Sequence, residues 1–252
     1  IVEFATSLSQ HGFQLVSTGG TARTLRAAGL EVIGVSDVTG HPEIFDGRVK
    51  SLHPAIHGPL LARLESEVDQ KGLAELGYPP IQIVACNLYP FSAAAAQQPP
   101  LQDPELLEMI DIGGPTMVRA SAKNHRNVII ACNPSRYDEI ISALKNSTDA
   151  QSIGMDLRQS LALDAYEHTA AYDSAIADEL HARWIGRPEL SDITSEQTAR
   201  LPSTLLASAV KTHSLRYGEN SHQAAALYTD PRELGNHSTL VTAHVEGEKD
   251  MS

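Results

Sequence analysis

Four short apolar runs constrain this chain more than any other feature. They are Phe13-Gln14-Leu15-Val16-Ser17, Glu31 to Val35, Ile81-Gln82-Ile83-Val84-Ala85-Cys86, and Asn127-Val128-Ile129-Ile130-Ala131-Cys132. A strand with one face in water alternates apolar and polar residues, whereas a nearly continuous apolar run needs cover on both faces. Amphipathic stretches lie between the runs, such as Thr21 to Ala28, which Gly29 stops. Strands alternating with helices predict βαβ units, and so an α/β fold built on a mostly parallel sheet flanked by helices. Sheets of that kind bind ligands at the carboxyl ends of their strands. The loops that follow the four runs are therefore the segments to read for chemistry.

The rest of the chain is organised differently. Residues 135 to 183 are helical in pattern, with Leu161, Ala165, His168 and Ala171 on one buried stripe. Gly186 to Pro202 is polar and holds two prolines, which predicts a linker centred on residues 191–202. Two strand-like runs follow, Ala224 to Tyr228 and Ser238 to Val245. The linker divides residues 1–190 from residues 203–252. The 252 residues correspond to about 1.7 typical domains. Ile1, Phe4, Ala5 and Leu8 fall at helical spacing with no leading Met or basic segment. Both features predict a piece of a longer protein.

Composition removes several classes. Lys and Arg total 19 against 31 Asp and Glu, a net charge of −12, which argues against a general nucleic-acid binder. A local positive pocket for a small anion remains compatible with that balance. No apolar run reaches the roughly 20 residues of a membrane helix. Cys86 and Cys132 are too few for a disulfide scaffold and lack metal-site spacing, which fits a reducing cytoplasm.

Five segments can carry chemistry. Ser17-Thr18-Gly19-Gly20-Thr21 follows a strand and opens a helix, so its backbone N–H groups and hydroxyls can cradle a phosphate. It also reads as a plain strand-to-helix turn with a Thr cap. Asp46-Gly47-Arg48-Val49-Lys50-Ser51-Leu52-His53-Pro54 concentrates two cations in an acidic chain; in an extended segment Arg48 and Lys50 point the same way. Such a pair can hold phosphate or polarise a carbonyl, or form an exposed charged loop. His53 and His57 lack a third ligand, so no metal is predicted. Asn87 and Tyr89 end the third run, where they offer an amide and a phenol or simply pack the strand end. Cys86 has no adjacent base and reads as structural. Asp111-Ile112-Gly113-Gly114-Pro115-Thr116 precedes a helix, and Lys123-Asn124-His125 closes it. An Asp and a Lys in one apolar setting can exchange a proton, or serve as a loop cap and a helix-dipole partner.

Taken together, these segments, with His168-Thr169-Ala170-Ala171-Tyr172-Asp173 and Leu215-Arg216-Tyr217-Gly218-Glu219-Asn220-Ser221-His222-Gln223, resemble the bifunctional AICAR transformylase/IMP cyclohydrolase family of purine biosynthesis. The resemblance covers essentially the whole chain in order and spacing. It implies a methylglyoxal-synthase-like fold for residues 1–190 and the start of an α/β transformylase domain after the linker. It also implies a further strand and ligand-binding loop ahead of Ile1, and a catalytic transformylase segment beyond Ser252.

The implied reaction closes the purine ring: FAICAR loses water and becomes IMP. No metal or nucleotide cofactor is needed for that step, and 10-formyltetrahydrofolate is the co-substrate of the transformylase half. The implied binding residues are Thr18, Gly19, Gly20, Thr21, Arg48, Val49, Ser51, Cys86, Asn87 and Ile112, with Arg216 and Tyr217 binding AICAR in the second domain. Lys50 and Tyr89 are implied to hold the oxyanion, and Asp111 and Lys123 to move protons. Ser51 stands where relatives commonly carry Thr, which keeps the hydroxyl. The resemblance further implies a cytoplasmic homodimer acting on small nucleotides, without nucleic-acid or membrane partners. The rivals are methylglyoxal synthase and a non-catalytic ligand-binding module of the same fold. The cyclohydrolase reading expects Lys50, Tyr89, Asp111 and Lys123 in one cleft with the Thr18–Thr21 loop.

Overall fold

A computed structural model describes residues 1–144, 149–185, 210–216, 220 and 222–229. It divides into two compact units, residues 1–90 with 102–172 and residues 91–101 with 173–252. The predicted linker, most of the predicted second domain and the run at 238–245 lie outside the described residues.

In the first unit the chain runs α1 (Val2–Gln10), β1 (Leu15–Ser17), α2 (Gly19–Ala27), β2 (Val32–Gly34), α3 (Val35–Thr39), α4 (Pro54–Leu61), α5 (Glu67–Leu76) and β3 (Ile83–Ala85). After α6 (Phe91–Ala95), which belongs to the second unit, come α7 (Asp103–Leu107), α8 (Gly113–Lys123), β4 (Ile129–Ala131), α9 (Tyr137–Leu144) and α10 (Met155–Trp184). All four apolar runs hold a strand, each shorter than its run. Local chemistry sets several helix ends. Gly29 follows α2 at φ +83°. Both the His53 ring and Pro54 start α4, with Nδ1 of His53 accepting from the Ala55 N–H at 3.1 Å. Ser66 caps α5, and Gly77 ends it in the left-handed region.

Every strand pairing in this unit is parallel. Leu15, Val16 and Ser17 of β1 face Val32, Ile33 and Gly34 of β2, while Ile83, Val84 and Ala85 of β3 face Ile129, Ile130 and Ala131 of β4. β4 shows why its run is continuously apolar. Ile129 and Ala131 pack with Phe4, Leu8, Ile140, Leu144 and Leu161, whereas Ile130 and Cys132 pack with Val118, Ala122, Ala162 and Ala165. Successive side chains point to opposite faces, so α1 and α9 cover one face, α8 the other, and α10 contributes to both. Burying each of Ile129 and Ile130 stabilises the fold by roughly 1.5–3 kcal/mol.

The single sheet expected from the sequence is divided into two parallel pairs, β1–β2 and β3–β4. Between them lies a cavity of about 1170 Å³, bordered by consecutive residues Gly12 to Thr18 and Pro79 to Asn87. Neighbouring side chains on a strand point to opposite faces, so a cavity lined by consecutive residues meets the strand edges. The buried Arg158 braces the unit from α10, donating to the carbonyls of Ile153 at 2.9 Å, His125 at 3.2 Å and Ala150.

The second unit contains α6, residues 173–184 of α10 and an antiparallel pair, β5 (Val210–Leu215) with β6 (Ala225–Thr229). Phe91 and Ala94 of α6 are buried, and Arg183 donates to the Leu101 carbonyl at 2.8 Å and pairs with Glu179. Among the described residues no helix is long and apolar enough to cross a membrane.

Candidate active site

The polar end of the cavity lies where the sheet rule places it. Thr18 and Thr21 line it from the turn between β1 and α2, Arg48, Lys50 and Ser51 from the loop before α4, Cys86, Asn87 and Tyr89 from the end of β3, and Asp111 and Ile112 from the turn before α8. Phe4, Leu8, Leu15, Ile83 and Val84 form its apolar depth. The amino ends of α2 and α8 both reach this cavity, since Thr18, Gly113 and Gly114 line it. Helix amino ends favour negative charge there.

The Arg48–Lys50 segment is a turn rather than the extended stretch expected from the sequence. Gly47 has φ +87° and Arg48 is in the helical region, which reverses the chain. Both cations nevertheless line the cavity, because the Lys50 side chain folds back across Gly47: a Cβ on Gly47 would lie 2.2 Å from Lys50 Cε. The left-handed backbone favours glycine there, and any side chain would have to push the outer part of Lys50 aside. A Cβ on Gly19 would lie 3.5 Å from Lys50 Nζ, so the ammonium stands at the start of α2. Two further contacts appear only in three dimensions. Arg48 forms a two-pronged pair with Glu108, one prong being Nε to Oε2 at 3.1 Å, and Lys50 Nζ lies 3.2 Å from Glu43 Oε2.

The Asp111 turn is held from several sides. Asp111 Oδ1 accepts the Gly114 N–H at 3.0 Å and so caps α8. The Asp111 N–H donates to the Tyr172 hydroxyl at 2.8 Å, and that hydroxyl donates to the Met109 carbonyl at 3.2 Å. A Cβ on Gly114 would fall 2.2 Å from Asp111 Oδ2, and one on Gly113 2.7 Å from Ser51 Oγ. Both glycines therefore permit close approach at a crowded helix start. Burial, then the Asp111 carboxylate, pushes the Cys86 thiol up to about 12, so it packs as a neutral group and supplies no thiolate.

Other expected residues lie elsewhere. Lys123 is exposed at the last position of α8 and does not line the cavity. Asp111 precedes the first residue of that helix, and a rise of 1.5 Å per residue over Gly113–Lys123 separates its ends by about 15 Å. The expected four-residue cleft is therefore corrected to three: Lys50, Tyr89 and Asp111. Gly20 does not line the cavity, and Val49 faces a separate hollow of about 220 Å³ with His41 and His53. Arg216 is exposed just after β5, in the second unit, and Tyr217 lies outside the described residues. Among the described residues no group of three His, Cys, Asp or Glu side chains is placed to hold a metal ion. Glu43, Glu108 and Tyr172 are the site neighbours that sequence reasoning did not select; for Tyr172 the signal was its place in the His168–Asp173 motif.

This α/β unit with its strand-end cavity is of the MGS-like class, whose domain model matches residues 1–116. The crystal structure of ForH is similar to it, with a TM-score of 0.63 and 35% sequence identity, covering 71% of this chain and 91% of that one. A second family model, described as AICARFT/IMPCHase bienzyme, matches residues 121–252. The chain belongs to the AICARFT/IMPCHase bienzyme family, which places it among the enzymes of purine biosynthesis.

Proposed function

We propose that the first unit is an IMP cyclohydrolase, closing FAICAR to IMP with loss of water. The observation that carries this reading is the meeting of Thr18, Thr21, Arg48, Lys50, Tyr89 and Asp111 on one cavity at the strand ends. A nucleoside monophosphate has an anionic end and a reacting base, and this lining offers a partner to each. The hydroxyls of Thr18 and Thr21 and the amino end of α2 take the phosphate, with the Arg48 fork, on the same cavity, as a further partner.

At the base, the carboxamide nitrogen attacks the formyl carbon. A C–N bond forms, and the carbonyl electron pair moves to oxygen. Tyr89 and Lys50, whose ammonium turns from the start of α2 toward the base, donate to that oxyanion, a type of stabilisation in which one donor is typically worth about 10²–10³ in rate. The attacking nitrogen gives up one proton and the formamide nitrogen a second as its C=N bond forms and the C–O bond breaks, so the oxygen leaves as water carrying both; Asp111 is the carboxylate on this cavity that can relay the first. Groups of this kind contribute roughly 10²–10⁴. The closure itself calls for neither metal nor redox cofactor. Lys123, implied by the resemblance as a proton carrier, is placed to act at the far end of α8 rather than on the ring.

The second unit is proposed as part of the transformylase half, which transfers a formyl group from 10-formyltetrahydrofolate to AICAR, with Arg216 and Tyr217 as AICAR contacts. A cytoplasmic homodimer working on these small nucleotides completes the proposal. Incubating the protein with FAICAR tests the first step. IMP, followed by its absorbance and by chromatography, is the expected product. Release of methylglyoxal from dihydroxyacetone phosphate, with no IMP from FAICAR, would overturn the reading.

A further inference from the structure

The cavity holds its own anions. The chain is acidic, yet two of the cations on this cavity are each taken by a carboxylate: Arg48 by Glu108, 60 residues away, and Lys50 by Glu43. Glu108 itself lines the cavity beside Arg48, and it caps the carboxyl end of α7 only three positions before Asp111. Arg48 and Glu108 are both exposed, with side chains 66% and 56% accessible, so the pair can open without disturbing the core.

From these contacts we propose that Glu108 is an internal competitor for the phosphate of the ligand, holding the Arg48 fork until a phosphate monoester replaces it. This rests on the reading of the cavity as a nucleotide site. The chemistry favours the exchange. A guanidinium binds carboxylate and phosphate oxygens through the same paired N–H geometry. A phosphate monoester carries about −1.5 to −2 near neutral pH, against −1 for a carboxylate, and it also meets the amino end of α2. The competitor therefore lowers affinity for every anion but is displaced by the more highly charged one. The segment between Glu108 and Asp111 does not come loose on exchange, because the Tyr172 hydroxyl holds Met109 and Asp111 independently of Arg48. Glu108 is thus a residue that sets phosphate affinity, touching Arg48 rather than the reacting atoms.

The test is calorimetric titration of the protein with ribose 5-phosphate, which has the phosphate and sugar but no base. Glu108→Gln keeps the size of the side chain and removes its charge. Opposing an exposed ion pair costs a competitor little, so the expected gain is about two- to five-fold in affinity. The gain must run through Arg48: Arg48→Ala combined with Glu108→Gln is expected to bind no better than Arg48→Ala alone. It must also fade at 1 M salt, where screening acts over about 3 Å. Unchanged affinity in Glu108→Gln, or an equal gain without Arg48, overturns the proposal. Failure of the parent reading looks different. A protein that binds ribose 5-phosphate with this pattern but makes no IMP from FAICAR keeps the competitor and loses the cyclohydrolase. Absence of ribose 5-phosphate binding in both wild type and variant overturns the competitor together with the anion site.

Discussion

Replacing Gly47 by alanine separates the stability of the loop from the position of Lys50. Gly47 has φ +87°, and an L-residue there costs roughly 1–2 kcal/mol. For a protein of this size that lowers the melting temperature by about 2–8 °C. The second effect is steric. The new Cβ would lie 2.2 Å from Lys50 Cε, 3.0 Å from Nζ and 3.4 Å from Cδ, so the outer half of the lysine has to move. Moving a flexible side chain is cheap in stability, but it takes the ammonium away from the start of α2. If Lys50 holds the oxyanion, turnover of FAICAR falls by about 10²–10³. Gly29→Ala is the control, because Gly29 has φ +83° with nothing within 4 Å of a Cβ. It carries the same backbone penalty without touching Lys50. Thermal melts by circular dichroism and IMP formation, measured on both variants, decide the matter. Equal stability losses with activity lost only in Gly47→Ala are expected. Full activity in Gly47→Ala would refute the role given to Lys50, and equal activity losses would reduce it to a stability effect.

Three further outcomes follow from the same geometry. Lys50→Ala is expected to cost cyclisation about 10²–10³, and Lys123→Ala far less, given a helix length of about 15 Å between Lys123 and the Asp111 end; equal losses in steady-state assays would show that Lys123 reaches the reacting atoms. Tyr172→Phe leaves the Asp111 N–H and Met109 carbonyl without their hydroxyl partner, so a stability loss of about 1–3 kcal/mol is expected in urea titrations, with faster hydrogen exchange at the Asp111 amide. Burial lowers the pKa of His57 and of His168, whose Nε2 atoms have no hydrogen-bond partner among the described residues. Their neutral forms are favoured in the folded state, so that stability is present above about pH 6.5 and is lost as the pH falls below it. Melting temperatures across pH 5–8 should show this acid limb, and His57→Asn with His168→Asn should flatten it; an unchanged limb would assign acid sensitivity to other groups.

The residues that could be read from the sequence are those whose signal is local. The runs ending in Ser17 and Cys86 declared strands, although β1 and β3 are only partly buried and the run ending in Cys132 alone forms the fully buried strand expected of such runs, and Gly29 declared the end of α2. The strand-end rule then pointed to Thr18 and Asn87 without any knowledge of their neighbours, and the glycine pair at the start of α8 pointed to Asp111. Pairings over long sequence distance were not legible. Nothing local links Arg48 to Glu108, or Tyr172 to Asp111 across 61 residues. The turn at Gly47 was also hidden, because alternation of Arg48 and Lys50 indicates a shared direction only in extended chain. Lys123 is a different case. Its motif and its helix were both visible, and the rise of that helix already separated it from Asp111.

The proposed cyclohydrolase binds a purine nucleotide in one cavity at the strand ends, with its phosphate at α2. A crystal structure of the protein with IMP tests it most directly. The expected density has the phosphate within hydrogen-bond distance of the Thr18–Thr21 turn, Arg48 released from Glu108, and the purine between Tyr89 and Asp111. IMP bound away from this cavity, or with its phosphate at Tyr89 and its base at Thr18, would contradict the account.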